Sequence, residues 1–303
     1  MTDATETSCS IKLFGRFEGE LEETGCRICG TEAGRPVFRG DDGIGYYLCR
    51  RCGVMYASPR FTEESMMKIY ENEAFADLSI YNGWSYGTWE ERGGRVFHTS
   101  RQKAALLKRY LSEGDRVLDV GCGTGAAVLE ANRSGFVCEG IEPSVRLSGI
   151  GRNVLNVAVT TGNVATFDPG YRFKGIIIWD VLEHLYDPVQ VLKSCATLLK
   201  PGGLLFAQVP NFRGLSNMYK TWLCRTGLKK NFRHFGFPWH VYSFDRKSLG
   251  YLIRLGGLDP EHYESWSHLL KEGKRGMIAQ TTIDIVRKFC LSDYIVCVAR
   301  KTR

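Results

Sequence analysis

Short apolar runs alternate with helical spacings through the second half of the 303-residue chain. A helix is predicted at Ala126–Arg133, and another runs from Pro188 to Leu199, where Asp187 supplies the N-cap. Because strands separated by helices form parallel sheets, this pattern predicts an α/β fold with a doubly wound sheet. The predicted strands are Arg116–Val120, Val137–Glu142 and residues 155–160, 175–179 and 204–209.

The N-terminal part of the chain follows a different pattern. A short helix is predicted from Thr62 through Tyr70, and a longer helix ends near Leu111. The aromatic stretch at residues 81–89 between them is a predicted loop. The predicted division of the chain is a polar tail at 1–20, a small cysteine-rich unit at 21–60, a helical linker and substrate cover at 61–112, and a main domain at 113–303.

A glycine-rich turn follows the first strand of the main domain and opens a helix. In the sequence Gly121-Cys122-Gly123-Thr124-Gly125, the glycines let a ligand approach the backbone without side chains in the way. The spacing differs from the Gly-x-Gly-x-x-Gly of dinucleotide enzymes. Asp119, just before the turn, would repel a pyrophosphate and attract an ammonium group. The turn therefore indicates a nucleoside ligand with a cationic tail.

Two further segments stand at the carboxyl ends of predicted strands. Glu142, followed by Pro143, ends the second strand, where a carboxylate accepts hydrogen bonds from both hydroxyls of a ribose. The segment Asp180-Val181-Leu182-Glu183-His184 follows the fourth strand. Because these strand ends meet at one crevice, we expect the glycine turn, the ribose acid and this segment to converge.

This combination resembles the class I S-adenosylmethionine-dependent methyltransferases. The resemblance implies a Rossmann-like seven-stranded sheet with helices on both faces and a late antiparallel strand, for which residues 293–299 are the candidate. It also implies that Asn163 stands where adenine is contacted. The cofactor-binding residues predicted on this basis are Asp119, Gly121, Cys122, Gly123, Gly125, Glu142, Pro143, Asn163, Val164, Asp180 and Val181.

Two Cys-x-x-Cys pairs, separated by 19 residues, lie in the N-terminal unit. Four thiolates complete a closed tetrahedral zinc site, so the spacing predicts a structural zinc ribbon. Residues 46–56 resemble the zinc-binding domain that precedes some bacterial sugar methyltransferases, and we expect a structural or substrate-covering role. The predicted zinc ligands are Cys26, Cys29, Cys49 and Cys52.

The composition of the chain predicts where the protein is located and the charge of its substrate. Lysine and arginine outnumber acids by 40 to 33, and the net charge of +7 suits an anionic or nucleotide-linked small molecule. The polar N-terminus and the lack of an apolar run of roughly 18 residues predict a cytoplasmic protein without a transmembrane segment. The odd count of 11 cysteines favours reduced thiols over a disulfide framework.

Methyl transfer from a sulfonium is a direct displacement that depends on alignment, and a hydroxyl acceptor benefits from a nearby base. His184 and His240 are the two candidate catalytic bases. Residues 211–239 mix basic and aromatic side chains and form a predicted lid. A surface for single-stranded nucleic acid and a membrane-interface helix are the alternatives for this segment.

Three hypotheses for the function follow. The first is O-methylation of a small hydroxylated molecule, such as a sugar or a natural-product intermediate. The second is C- or N-methylation of a nucleotide-linked sugar. The third is a methyltransferase-like module that binds nucleic acid, which the retained acids and glycines of the cofactor site disfavour.

Overall fold

The computed structural model describes residues 19–39, 43–71, 94–228, 239–266 and 286–302. Five short strands precede the first helix of the N-terminal part. Strands β2, β3 and β4 form an antiparallel sheet, and β1 pairs with β5. The elements are β1 (Leu21–Glu22), β2 (Gly34–Arg39), β3 (Gly45–Cys49), β4 (Met55–Ser58), β5 (Arg60–Phe61) and α1 (Glu63–Glu71).

Strands and helices alternate through the remainder of the chain. A single 3₁₀ turn at Val164–Thr166 follows the third of these strands. The elements are α2 (Gly94–Lys108), β6 (Arg116–Val120), α3 (Ala126–Arg133), β7 (Val137–Glu142), α4 (Val145–Asn153), β8 (Val159–Thr161), β9 (Phe173–Trp179), α5 (Pro188–Leu198), β10 (Leu199–Pro210), α6 (Leu215–Arg225), β11 (Tyr242–Ser243), α7 (Arg246–Leu255), β12 (Leu258–Trp266) and β13 (Tyr294–Lys301).

A seven-stranded sheet in the order β12-β13-β10-β9-β6-β7-β8 forms the centre of the fold. The five strands from β6 to β10 pair in parallel, and β13 runs antiparallel to both β10 and β12. The late antiparallel strand predicted at residues 293–299 is therefore confirmed, as is the predicted α/β class.

Apolar layers cover both faces of the sheet because side chains alternate along each strand. In β9, Ile176 and Ile178 pack with Leu192 of α5 and Leu249 of α7. Ile177 and Trp179 point to the other face, toward α2 and α3. The predicted helices on both faces are confirmed by these two layers.

The N-terminal sheet receives its fourth strand from far along the chain. Tyr242 and Ser243 of β11 pair antiparallel with Tyr56 and Met55 of β4. The backbone N–H of Ala57 donates to the carbonyl of Val241 at 3.2 Å, next to this pairing. The cysteine-rich unit is thus completed by residues from the range predicted for the main domain, and the four-part division of the chain stays a prediction.

Several predicted element boundaries differ from the structure, and three of them have a clear local cause. The strand predicted at residues 155–160 is reduced to Val159–Thr161, because Val154 ends helix α4 and Asn156 has a positive φ of 52°. The helix predicted to end near Leu111 ends at Lys108. Leu199, predicted as the last residue of α5, is already extended and begins β10.

Among the described residues, none of the helices combines the length and apolarity needed to cross a membrane. Three predicted features lie wholly or largely outside the described residues. They are the polar tail, of which only residues 19 and 20 are described, the loop at 81–89, and residues 229–238 of the predicted lid.

Candidate active site

The glycine-rich turn joins β6 to α3 in a conformation that requires glycine. Gly121, Gly123 and Gly125 have φ angles of 69°, 56° and 80°, in the left-handed region that glycine adopts without strain. A Cβ atom on Gly121 would lie 2.6 Å from Cγ2 of Val181, in the segment after β9. A Cβ atom on Gly123 would meet no atom of the described residues within 4 Å. The turn therefore packs against the segment after β9 at Gly121 and leaves its backbone accessible at Gly123.

The Glu142 carboxylate is held against this turn by two backbone donors. Its Oε2 accepts from the N–H of Gly123 and its Oε1 from the N–H of Ser144, both at 2.9 Å. Burial raises the pKa of Glu142, and the hydrogen bonds from Ser144 and Gly123 oppose that rise. Each carboxylate oxygen keeps a further lone pair. The fixed carboxylate therefore retains acceptor capacity for the hydroxyls of a ligand.

Asp119 lies at the end of β6, directly beneath the turn, and its residue surface is only 3% exposed. Burial raises the pKa of its carboxyl group to about 7, with a lowering contribution from the Lys103 ammonium and a raising one from Glu142. Protonation of this group is therefore balanced near neutral pH in the free protein. A cationic ligand beside it would favour the ionised form.

The remaining predicted cofactor residues surround the turn and the end of β7. The Asn163 side chain accepts from the N–H of Ala165 at 2.9 Å and begins the 3₁₀ turn that buries Val164. Pro143 is exposed beside Glu142. The Cys122 sulfur fills the space above Gly140, where a Cβ atom would lie 2.4 Å from it. Burial raises the pKa of the Cys122 thiol far above neutrality, so the group is a packing thiol rather than a nucleophile.

Asp180 begins the post-β9 segment with a positive φ of 55°. Both of its carboxylate oxygens accept from Nε2 of Gln208, at 2.8 and 3.0 Å. The indole N–H of Trp266 donates in turn to Oε1 of Gln208, and the Trp266 ring stacks on Trp179 with centroids 5.9 Å apart. Gln208 and Trp266 were not predicted from the sequence. The one available signal was a lone amide in the apolar strand at residues 204–209, which is unusual in a buried strand.

The two predicted catalytic histidines are brought together although 55 residues lie between them. The rings of His184 and His240 meet edge to face, with centroids 4.7 Å apart. Nδ1 of His184 lies 2.9 Å from the carbonyl oxygen of Trp239 and 3.3 Å from the Tyr70 hydroxyl. Burial lowers the pKa of His184, so the ring is held in its neutral form at physiological pH.

The predicted zinc ligands form a tight cluster. Sulfur–sulfur distances are 3.5 Å between Cys26 and Cys52, 3.6 Å between Cys29 and Cys26, and 3.4 Å between Cys29 and Cys49. Four thiolates at about 2.3 Å from a tetrahedral zinc ion lie roughly 3.8 Å apart, so the cluster fits this ion closely. A hydrogen bond from Cys52 lowers the pKa of Cys26 to about 5, which favours a thiolate within the cluster.

Two matching backbone turns position these cysteines. The N–H of Gly30 donates to the Cys26 carbonyl at 2.8 Å, and the N–H of Gly53 donates to the Cys49 carbonyl at 3.0 Å. Both glycines have a positive φ, 72° and 75°. The repeated geometry brings the two pairs of sulfur atoms toward a common point, as a four-cysteine metal site requires.

Known proteins share this fold and part of this sequence. A family model described as a methyltransferase domain matches residues 92–263, more than half of the chain. A ubiquinone biosynthesis O-methyltransferase of Albidiferax ferrireducens is 27% identical over 171 residues, which is 52% of this chain and 67% of the relative. The protein of the same name in Caulobacter vibrioides is 32% identical over 151 residues, or 45% of this chain and 55% of the relative. The match therefore spans between about half and two thirds of the relatives' lengths.

A solved structure supports the architecture over a larger part of the chain. Magnesium protoporphyrin IX methyltransferase from Synechocystis PCC 6803, with bound SAH, aligns with a TM-score of 0.54 at 16% identity. The alignment covers 79% of this chain and 100% of that chain. At this identity the likeness concerns the fold, and it agrees with the seven-stranded sheet.

Proposed function

Because the chain belongs to the methyltransferase domain family, we propose that it transfers the methyl group of S-adenosylmethionine to a hydroxyl oxygen of a small molecule. The partial relatives are named as O-methyltransferases, which favours oxygen over carbon or nitrogen as the acceptor atom. Sugars and natural-product intermediates are the acceptor classes we propose to test first, in keeping with the net charge of +7 and an anionic substrate.

One observation carries the proposal: the Gly123 N–H holds a buried carboxylate, Glu142, against an open glycine turn that Asp119 underlies. In the proposed complex Glu142 accepts the ribose hydroxyls and Asp119 faces the cationic end of the donor. Asn163 and Val164 lie beside adenine, and Asp180 and Val181 border the methyl-bearing side. Pro143 and Cys122 contribute by contact only.

The proposed reaction needs alignment more than acid–base power. The acceptor oxygen attacks the methyl carbon, the carbon–sulfur bond breaks, and its electron pair stays on sulfur as S-adenosylhomocysteine leaves. The hydroxyl proton must be lost to a base or to water. His184 and His240 lie in the segment that follows β9 and in the one that precedes β11, and we propose that this pair faces the acceptor.

Calorimetric titration with S-adenosylmethionine tests donor binding. We expect saturable binding to the wild-type protein, and at least about a tenfold loss of affinity in Glu142→Gln because a charged acceptor of the ribose hydroxyls is removed. Glu139→Gln is the matched control: this residue lies on the same strand, where its carboxylate accepts from the Tyr171 hydroxyl at 2.6 Å. Equal affinities for the two variants would refute the site assignment.

Product analysis tests the acceptor atom. Incubation with labelled donor and a set of hydroxylated aromatic compounds and sugars should yield methyl ethers, identified by mass spectrometry. Methylation on carbon or nitrogen of a nucleotide-linked sugar would replace the O-methylation proposal. Salt-sensitive retention of single-stranded nucleic acid, without methyl transfer, would favour the binding-module hypothesis.

We also propose that the four-cysteine cluster holds a structural zinc ion. Support comes from the sulfur spacing and from the all-thiolate donor set, which closes the coordination shell and leaves no position for a substrate. The zinc ion would fix the two cysteine turns and hence strands β3 and β4.

A further inference from the structure

Arg60 of β5 is a buried cation that the proposed reaction does not use. Its residue surface is only 1% exposed. Because removal from water is costly for a charged group, a buried guanidinium requires a counter-charge. Glu22 stands opposite Arg60 in the pairing of β1 with β5, and its Oε1 accepts from Nε of Arg60 at 2.9 Å. The Glu22 side chain is 25% exposed, so the ion pair leads from the surface into the interior of the molecule.

Two tyrosines contact the remainder of the guanidinium group. Its central carbon lies 4.4 Å from the centroid of the Tyr186 ring and 5.9 Å from that of the Tyr242 ring. Nη1 is 3.5 Å from the Tyr242 hydroxyl oxygen, whereas Nη2 has no hydrogen-bond partner among the described residues. An aromatic face attracts a planar cation without a hydrogen-bond acceptor. The two rings therefore stabilise the part of the guanidinium that Glu22 does not reach.

These tyrosines belong to the two segments that present the histidine pair. Tyr186 follows His184 by two residues, and Tyr242 follows His240 by two residues. The histidine rings meet edge to face with centroids 4.7 Å apart. A shift of one segment relative to the other would change this contact, and Arg60 contacts both segments close to the histidines.

Other hydrogen bonds hold the same segments at the backbone. The N–H of Tyr242 donates to the Glu183 carbonyl at 3.2 Å, and the Tyr186 hydroxyl donates to the carbonyl of Phe61, the second residue of β5, at 2.6 Å. Burial raises the pKa of both tyrosines, and the charge of Arg60 opposes the rise in each. Both hydroxyls therefore keep their proton at neutral pH. Strand β5 thus holds the Tyr186 segment directly, and Arg60 extends that support to the Tyr242 segment.

We propose that Arg60 is a positioning residue for the methyl transfer. Its guanidinium keeps Tyr186 and Tyr242 at a fixed separation and thereby sets the contact between the two histidines. This inference rests on the proposed function, in which the histidine pair faces the acceptor. A misplacement of about 1 Å at a reacting group lowers a rate by roughly 100-fold, so a side chain that does not touch the substrate can control turnover. The N-terminal unit would contribute to the reaction through this residue.

Arg60→Lys tests the role because it keeps a positive charge opposite Glu22 and loses the planar group that stacks on the rings. Full-length protein with ¹⁵N-labelled histidine is studied by long-range ¹H–¹⁵N magnetic resonance, which reports the tautomer and surroundings of each imidazole. We expect the signals of His184 and His240 to move, and that of His262, whose ring contacts a different tyrosine, to stay in place. Affinity for S-adenosylmethionine should be unchanged. With the first hydroxylated compound found to be methylated, kcat should fall by roughly 10- to 100-fold.

Two further variants separate positioning from stability. Phe61→Leu removes packing at a position of the same strand that is 0% exposed, and leaves every contact of Arg60 in place. It should unfold at a lower denaturant concentration than the wild type, with unchanged histidine signals and unchanged kcat. Glu22→Ala removes the counter-charge at a partly exposed position, and should move the same two histidine signals as Arg60→Lys. If Arg60→Lys does not fold, Glu22→Ala decides by itself.

Unchanged signals of His184 and His240 in Arg60→Lys and Glu22→Ala would overturn the positioning role. An equal fall of kcat in Phe61→Leu would also overturn it, since loss of stability would then explain the effect. Calorimetry with S-adenosylmethionine separates the two proposals. Moved histidine signals in a protein that binds no donor would refute the proposed function and leave the positioning of the histidines standing. Methyl transfer at the wild-type rate by Arg60→Lys would refute the role of Arg60 and leave O-methylation standing.

Discussion

The charge state of Asp119 is sensitive to pH near neutrality. Burial raises the pKa of its carboxyl group to about 7. Between the ordinary pKa near 4 and this value, the folded protein holds a proton that the unfolded chain releases. The contribution of Asp119 to stability is therefore greatest below pH 4 and declines as pH rises toward 7.

Donor affinity should have the opposite pH dependence. A cationic ligand binds the ionised carboxylate, so the affinity of the wild-type protein should fall about tenfold for each pH unit below 7. Asp119→Asn should bind S-adenosylmethionine weakly with little dependence on pH. Asp115→Asn, a change just before the same strand, should retain the wild-type profile. Calorimetry from pH 5.5 to 8 measures all three proteins, and a pH-independent wild type would contradict the assignment.

Two effects disfavour a side chain at Gly121, backbone strain and a steric clash, and comparison with a second glycine separates them. The φ of 69° at Gly121 strains any other residue, and a Cβ atom would lie 2.6 Å from Val181. Gly202 has the same φ of 69°, and a Cβ atom there would meet nothing within 4 Å among the described residues. Comparing the two positions therefore isolates the contact with the post-β9 segment.

Gly121→Ala should lose about 2–4 kcal/mol of stability, and Gly202→Ala about 1–2 kcal/mol, because only the first adds a steric clash to the backbone strain. Chemical denaturation measures both free energies of unfolding. Adding Val181→Ala should restore part of the loss at Gly121 alone. Similar losses for Gly121→Ala and Gly202→Ala would show that the Val181 contact does not matter.

The site residues that could be predicted from the sequence are those whose chemistry depends on spacing along the chain. The glycine turn and Glu142 were found because both stand at the ends of predicted strands, and the structure joins them through the Gly123 N–H. Gln208 and Trp266 were missed, because the contacts of Gln208 with Asp180 and of Trp266 with Gln208 depend on how β10 and β12 come together across β13. No pattern within either strand contains that information.

Among the elements, β11 joins two distant parts of the chain. It is two residues long, yet it completes the N-terminal sheet and directly follows the segment that includes His240. Arg60 strengthens the same junction: it is 1% exposed, binds Glu22 at 2.9 Å, and stacks over the Tyr186 ring at 4.4 Å. The ribbon is therefore joined to the acceptor side of the proposed site.

Loss of the proposed zinc ion should consequently affect the whole chain. Cys52→Ala should lose zinc and more than about 3 kcal/mol of stability, because metal binding contributes to folding free energy. It should also slow methyl transfer through displacement of β11. Cys224→Ala removes a buried cysteine outside the cluster and should keep its zinc. Metal content, denaturation and turnover are measured together; a zinc-free variant of full stability and activity would contradict the coupling.

Element predictions succeeded where the periodic pattern was long and its ends were marked. Strands β6 and β7 and helix α3 match their predicted bounds. The prediction failed at residues 155–160, where an apolar run continues past a helix end at Val154 into an irregular turn. Helix α7 and strand β11 were not predicted. A two-residue strand has no periodicity of its own, and its pairing with β4 is set by tertiary structure.

At the scale of the whole molecule, the N-terminal cysteine-rich unit packs against the large sheet, although its sequence pattern differs from that of the main domain. One continuous apolar core includes Met55 and Tyr56 of the N-terminal sheet together with Leu205 and Val209 of β10. Burial shared across such a boundary couples the stability of the two parts, since neither face is satisfied alone.

We therefore expect a single cooperative unfolding transition. Zinc release, followed with a chromogenic chelator, should coincide in denaturant concentration with the loss of helical circular dichroism. Trp179 and Trp266 in the large sheet provide a third probe by fluorescence. Release of zinc at a clearly lower denaturant concentration would show instead that the ribbon unfolds independently.

The long separation between β4 and β11 has a consequence during synthesis of the protein. All four cysteines leave the ribosome early, whereas Tyr242, the partner of Tyr56, is made 186 residues after it. Until then the outer edge of β4 has unpaired backbone groups, and such an edge readily pairs with other chains. The nascent protein thus passes through a period in which its four-cysteine end has been made but still exposes an unpaired strand edge, and we expect its need for chaperones to be highest during that interval.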